Sequence, residues 1–233
     1  MYAKIFKRML DLLLSLMALL VLFPILLVLT VVTACAMKGN PFFTQLRPGK
    51  RDSKTGNERI FRLIKFRTMT CEKDAEGNLL PDDVRLTRYG QWLRSTSLDE
   101  LPELLNIIKG DMSIVGPRPL LVRDMVFMTA EQRKRHTVRQ GLTGLAQVNG
   151  RNHTPWEKKL AYDLQYIEKI TFAGDLKIIF QTVGKVFRRE GITEEGYATN
   201  EDFGDYLLAK GQIAKEEYSE KLKQASELLC SIR

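Results

Sequence analysis

The sequence predicts an α+β fold, predominantly helical, made of an N-terminal membrane element, a small soluble domain and an acidic helical appendage. Three observations carry that expectation. Leu12 to Met37 is almost wholly apolar, and a helix of that length would measure ~39 Å against a hydrocarbon core of ~30 Å. Ile60 to Met69 mostly alternates apolar and basic residues, the period of a half-buried strand. Apolar stripes of helical period then recur at Leu101, Leu104, Leu105 and Ile108, and at Leu176, Ile179, Phe180, Val183, Val186 and Phe187. The expected divisions are residues 1–38, 39–190 and 191–233.

The membrane element comes first. Lys4, Lys7 and Arg8 precede the apolar run, and Lys38, Arg47, Lys50, Arg51 and Lys54 follow it. Basic residues at both ends ask both ends to stay cytoplasmic, and Pro24 at the middle of the run removes a helical hydrogen bond and bends the axis. A helix that enters one leaflet, breaks at Phe23-Pro24 and returns satisfies both observations. From the residues alone, this re-entrant hairpin and a kinked span stand level. The run is too long for a signal peptide, and no small-residue cleavage site follows it. Asp11 and Ser15, one turn apart, sit where they would fix the depth of entry.

Charge supports the same division. Of 233 residues, 44% are hydrophobic and 27% charged, a balance that fits a folded chain. The net charge of +8 is concentrated early: residues 1–70 hold 12 Lys/Arg against 3 Asp/Glu, whereas residues 71–233 hold 24 against 25. Juxtamembrane basic residues favour anionic headgroups by roughly 1 kcal/mol each. A nucleic-acid binder would carry that charge on the folded domain, so membrane lipids, and no nucleic acid, are the expected partners. Cys35, Cys71 and Cys230 show no CxxC spacing and read as reduced thiols. His136 and His153 have no partner at metal-ligand spacing. Neither a dinucleotide fingerprint nor a P-loop is present.

Within the soluble part, Gly39-Asn40-Pro41 ends the membrane element as a turn. The strand over residues 60–69 would aim Lys65 and Arg67 from one face, either into solvent or at a phosphate. Residues 72–83 read as an acidic surface loop. Ser97 with Glu100 three residues later fits a capping box, the bland reading of Glu100. Pro102, comfortable only in a first helical turn, sets the helix start a little later. Gly141 to Gly150 reads as a glycine-punctuated loop ending at Arg151. The helix after Asp175 is expected to pack on a core, with a membrane-resting helix as the minority reading. Residues 190–233, with 10 Asp/Glu against 5 Lys/Arg and a helical pattern from Tyr206 to Leu229, read as an appendage without chemistry of its own.

The segments that carry chemistry lie in order. They are Lys7-Arg8 with Asp11 and Ser15, Pro24, Gln45-x-Arg47-x-Gly49, Lys65-Phe66-Arg67-Thr68-Met69 and Thr87-x-x-Gly90-x-x-Leu93-Arg94. Ser97-Leu98-Asp99-Glu100-Leu101-Pro102, Gly110 to Pro119 and Gly141 to Leu145 complete the set. Together they resemble the bacterial sugar transferase family, the monotopic phosphoglycosyl transferases, across about residues 1–190.

The resemblance implies a re-entrant membrane helix-break-helix near Pro24 and a small cytosolic catalytic domain on the cytoplasmic face of a bacterial inner membrane. Phe23 stands where members often have serine. It also implies transfer of a sugar-1-phosphate from a UDP-sugar to polyprenyl (undecaprenyl) phosphate with release of UMP. Mg²⁺, held at Asp99 and Glu100, is required, and downstream glycosyltransferases are implied partners. Asp99 would be the nucleophile, forming a covalent aspartyl-phosphosugar, and Glu100 its partner. The chemistry is sound on its own terms. A carboxylate attacking the sugar-bearing phosphorus splits one transfer into two steps. Mg²⁺ with Lys65, Arg67, Arg94, Arg118 and Arg151 would offset the repulsion between carboxylate and pyrophosphate. The rival is a membrane-anchored anionic-lipid-binding protein in which Asp99-Glu100 only caps a helix.

Overall fold

The computed structural model describes residues 2–150, 154–188 and 201–232. After a short π-helical turn over Tyr2–Phe6, helix α1 runs from Lys7 to Ala36. A hairpin follows, β1 (Phe42–Arg51) and β2 (Glu58–Phe66), paired antiparallel with Phe43 opposite Lys65. Helices α2 (Asp82–Arg85), α3 (Arg88–Ser95) and α4 (Glu103–Lys109) lead to strand β3 (Met112–Val115) and helix α5 (Val122–Met125). Strand β4 (Gln140–Thr143) pairs parallel to β3. Helices α6 (Leu145–Gly150), α7 (Trp156–Glu168), α8 (Phe172–Arg188), α9 (Phe203–Ala209) and α10 (Lys215–Cys230) complete the described chain.

Helix α1 departs from the expected helix-break-helix. It stays helical through Pro24, so the break is corrected to one helix with a proline inside. Proline withholds a single N–H, which a bend accommodates without ending the helix. Most of its side chains are apolar and exposed, including Leu13, Met17, Leu20, Val21, Phe23, Val28 and Val31. One stripe is not. Asp11, Ser15, Leu29 and Thr33 are buried, and Ala18, Leu22 and Leu26 pack on the domain between them.

That stripe is tied to the domain near both ends. Lys7 forms an ion pair with Asp175 at 2.7 Å. Arg8 donates to the carbonyls of Ile107 and Ile108 at the α4 C-terminus, where a cation also meets the negative end of the helix dipole. Asp11 accepts from the Ser113 hydroxyl and the Ile114 N–H on β3. Farther along, Leu29 packs with Phe66 and Leu93, and the Thr33 hydroxyl lies 2.8 Å from that of Tyr89.

The expected strand over 60–69 is found as β2, ending at Phe66. Phe61 and Leu63 are buried with Arg62 exposed between them, but the alternation then breaks, because Phe66, three residues on, is the next buried position. Phe61, Leu63, Leu104, Ile107 and Met112 form a cluster beneath α1. The segment from Gly141 is not the loop its glycines suggest but β4 and the start of α6. Gly141 is required because a Cβ there would stand 2.1 Å from the Gly116 nitrogen, so the two backbones approach as only glycine permits. Gly90 does the same for α3, where a Cβ would lie 1.9 Å from the Thr68 carbonyl oxygen.

Helix α8 divides its apolar stripe. Ile178 and Ile179 face the core with Val115, Val148 and Tyr166, while Phe172, Leu176, Phe180 and Val183 are exposed. The C-terminal helices share a core with the domain: Phe203 and Ala225 pack with Val122, Met125, Phe127, Trp156 and Leu160. Asp124 accepts from the N–H groups of both Leu121 and Phe203. The helical pattern from Tyr206 resolves into two helices, turned at Gly211 with φ +66°.

Candidate active site

Between α3 and α4 the chain makes a turn that the capping-box reading does not describe. Ser97 adopts a left-handed conformation with φ 57° and its side chain caps nothing. Leu98–Glu100 is a single 3₁₀ turn, and α4 begins only at Glu103, after Pro102. Glu100 therefore does not reach back to Ser97. Its carboxylate turns instead to Lys65, whose ammonium lies 2.7 Å from Oε1, and to Arg118 at 3.0 Å from the same oxygen.

The scaffold explains the convergence. Lys65 stands next to the end of β2, and its ammonium also approaches Glu103 Oε1 at 3.3 Å. Arg118 comes from the Pro117-Arg118-Pro119 segment that follows β3. Arg94 is carried on α3, which Gly90 allows to press against Thr68, and its Nε donates to the Thr68 hydroxyl at 3.1 Å. Its charge acts on Asp99.

Asp99 is buried, 9% exposed, and among the described residues its carboxylate receives no hydrogen bond or ion pair. Burial pushes its pKa up to about 6 despite the nearby charges of Lys65, Arg94 and Arg118. For Glu100, burial acts in the same direction, but contact with Lys65 and Arg118 prevails and holds it well below the usual carboxylate range. Two neighbouring carboxylates are thus driven apart. One is spent on cations, and the other is unpaired and close to its titration point, a contrast that marks functional sites. Burial also pushes Glu103 up to about 7, and burial followed by the like charge of Arg118 lowers Arg47 to about 10.

Of the residues expected at the site, Asp99, Glu100, Lys65, Arg94 and Arg118 are brought together. Arg67 lies one residue beyond β2, half-buried, and its side chain contacts none of these carboxylates among the described residues. Arg151 lies outside the described residues. Pro24 sits within α1 and takes no part. Sequence reasoning missed Glu103, although its spacing from Glu100 was visible, and it quoted Arg47 without giving it a role. Arg47 donates to the Pro119 carbonyl at 3.2 Å and to Gln45 Oε1 at 2.5 Å, and among the described residues its buried Nε has no hydrogen-bond partner.

Among the described residues no group of three or more His, Cys, Asp or Glu converges at metal-ligand geometry. The hard oxygens of Asp99 and Glu100 suit Mg²⁺, which is commonly held by one or two carboxylates together with substrate phosphates. The unpartnered Asp99 carboxylate is the donor still available.

Comparison with known proteins shows the family. A family model described as bacterial sugar transferase matches residues 2–189. The uncharacterized sugar transferase EpsL of Bacillus subtilis (strain 168) is 46% identical over 200 residues, 85% of this chain and 96% of that protein. The UDP-glucose:undecaprenyl-phosphate glucose-1-phosphate transferase of Klebsiella pneumoniae is 40% identical over 193 residues, which cover 78% of this chain but 40% of that longer protein. The exopolysaccharide production protein ExoY of Sinorhizobium fredii is 34% identical over 202 residues, 79% of this chain and 87% of that protein. The match takes in α1 through α8 and every residue of the carboxylate–cation cluster: the protein belongs to the bacterial sugar transferase family and is a sugar transferase.

Proposed function

We propose that the protein transfers a sugar-1-phosphate from a UDP-activated sugar to polyprenyl (undecaprenyl) phosphate, with release of UMP, as the first membrane step of glycan assembly. The reaction passes through a covalent intermediate on Asp99. The observation that carries this reading is the buried, unpartnered Asp99 carboxylate surrounded by Lys65, Arg94 and Arg118. Relatives named for UDP-glucose and undecaprenyl phosphate, or for UDP-galactose and a lipid carrier, supply the substrate class.

In the first step an Asp99 carboxylate oxygen attacks the sugar-bearing phosphorus. The bond from that phosphorus to the bridging oxygen breaks, and UMP leaves with the bridging oxygen. In the second step a phosphate oxygen of the lipid attacks the same phosphorus, freeing Asp99 and forming a polyprenyl diphosphosugar. Lys65 and Arg118 stabilise charge on the pentacovalent phosphorus, and Arg94 holds its charge close to Asp99. Mg²⁺, held by Asp99 and Glu100 together with the pyrophosphate, would neutralise phosphate charge.

The lipid substrate requires the site to lie at headgroup level, which a re-entrant α1 provides. Supporting it, α1 contacts the same domain from Asp11 to Thr33, about 33 Å of helix. A bilayer span would carry one set of those contacts across the hydrocarbon. The exposed Phe172, Leu176, Phe180 and Val183 of α8, with the exposed Ile5, Phe6 and Met9 near the N-terminus, suit a domain resting on the inner leaflet, at the cytoplasmic face.

The test is mass spectrometry of the detergent-solubilised chain after incubation with UDP-glucose, UDP-galactose or another UDP-sugar, without lipid acceptor. A phosphosugar adduct on Asp99, discharged by undecaprenyl phosphate, is expected. Absence of adduct across the panel, with UMP still released once undecaprenyl phosphate is added, would point instead to direct attack by the lipid phosphate.

A further inference from the structure

Arg118 reaches Glu100 through one hydrogen bond of 3.0 Å from a side chain that is 46% exposed. What fixes its direction is therefore its backbone. Pro117 and Pro119 flank it and withhold their N–H groups, so the segment must be held through its carbonyls. All three are held. The Pro117 carbonyl accepts from the Gly141 N–H at 2.8 Å, the Arg118 carbonyl from Arg135 Nη2 at 2.5 Å, and the Pro119 carbonyl from Arg47 Nη1 at 3.2 Å.

We propose that Arg135, backed by Asp163, is a positioning residue that fixes the Arg118 backbone and so places the Arg118 guanidinium on Glu100. The proposal rests on the reading of the Asp99–Glu100 cluster as the catalytic site. Arg135 has a wholly buried side chain. Its Nε and Nη2 both donate to Asp163 Oδ2, at 2.9 and 2.7 Å, and Nη1 lies 3.2 Å from His136 Nε2. Four of its five N–H donors are thus committed, one of them to the Arg118 carbonyl. The planar fork makes the arrangement specific, and a lysine cannot reproduce it. A buried ion pair is by itself weak evidence of a stabilising purpose. Here it ends on the backbone of a residue that touches the candidate partner of the nucleophile.

The test uses the full chain in lipid nanodiscs. The guanidinium Nε–H resonance of Arg118, assigned by its loss in Arg118→Lys, reports the position of that side chain without turnover. Arg135→Lys should shift this resonance and speed its exchange with water, while leaving that of Arg94 in place. Should Arg135→Lys fail to fold, Asp163→Asn, which keeps the volume and one acceptor, should give the same change in milder form. UMP release from UDP-glucose supplies the second reading. Arg135→Lys should lower kcat/KM by about tenfold in the wild-type background and by less than about twofold in Arg118→Ala, because a residue acting through another loses its effect when that other is gone. Equal losses in both backgrounds, an unmoved Arg118 resonance, or unfolding of both variants would make Arg135 a structural residue only and overturn the proposal. If the wild-type chain releases no UMP with any UDP-sugar, the functional reading fails, while the resonance still decides whether Arg135 positions Arg118.

Discussion

The ammonium of Lys65 lies 2.7 Å from Glu100 Oε1 and 3.3 Å from Glu103 Oε1, so one cation ties together two carboxylates on either side of Pro102. Asp99, immediately before Glu100, is left out of that tie. The geometry divides the adjacent acids: Glu100 is paired with Lys65 and Arg118, and Asp99 has no hydrogen-bond or ion-pair partner among the described residues.

Asp99→Asn keeps the size of the side chain and removes its charge, so turnover should fall to background with the melting temperature unchanged. Substantial UMP release by this variant would rule out covalent catalysis. Glu100→Gln frees Lys65 and Arg118 from their shared acceptor, and a loss of about 10²-fold in kcat is expected. A helix cap would tolerate the same change.

Lys65→Met removes the charge that faces Glu100 and Glu103. Loss of one electrostatic contact to a transition state costs about 10²–10³-fold in rate. The melting temperature should fall as well, because the half-buried Glu100, held well below the usual carboxylate range by Lys65 and Arg118, loses one of its two cations. Unchanged kcat/KM in Lys65→Met would remove the lysine from the reaction.

The proposed attack by Asp99 requires an ionised carboxylate. With Asp99 raised to about 6 by burial, log kcat/KM should climb with unit slope below pH 6 and level off above it, since kcat/KM follows the free enzyme. A rate independent of pH between 5 and 7 would contradict this environment for Asp99.

Stability should fall in mild acid through a different residue. Burial lowers His136 to about 4, against an ordinary value near 6.5. The unfolded chain takes up this proton first, so the contribution is complete above pH ~6.5 and is lost as pH falls toward 4, on the order of 3 kcal/mol in all. Glu58 lies 3.3 Å from His136 Nδ1. Burial would raise it, but hydrogen bonds from His136 and Arg133 hold it well below the usual range, so it adds to acid sensitivity at still lower pH. Melting temperature measured from pH 7 to 4 in wild type and His136→Gln checks this: the variant should show the flatter profile.

Topology can be read by labelling. In a background without Cys35, Cys71 and Cys230, cysteines at positions 4 and 53 should both react only from the cytosolic side. Periplasmic labelling at position 4 would establish a span and remove the one-leaflet geometry. Pro24→Ala restores a missing helical hydrogen bond and should move a fraction of molecules toward spanning.

The sequence by itself determined the elements with strong local signals. The apolar length of α1, the presence of β2, α4 and α8 and the order of the motifs were legible, because composition and helical or strand period are properties of contiguous residues. Which face is buried was not, since Ile107 and Ile178 lie in the core while Leu105, Leu176 and Phe180 of the expected stripes are exposed. Asp99, Glu100, Lys65, Arg94 and Arg118 could be named from those motifs. The tertiary structure alone decided what each of them does to the others. Ser97 and Glu100 have the spacing of a capping box, yet a left-handed Ser97 and the pull of Lys65 from β2 turn Glu100 away from it. Gly141 reads as a loop residue until Gly116 arrives against it from 25 positions earlier. Arg135 carries no motif, because its partners Asp163 and the Arg118 carbonyl lie 28 and 17 positions away. Electrostatic coupling falls off with distance through space, not along the chain, so the unpaired state of Asp99 and the tether on Arg118 exist only once the chain has folded.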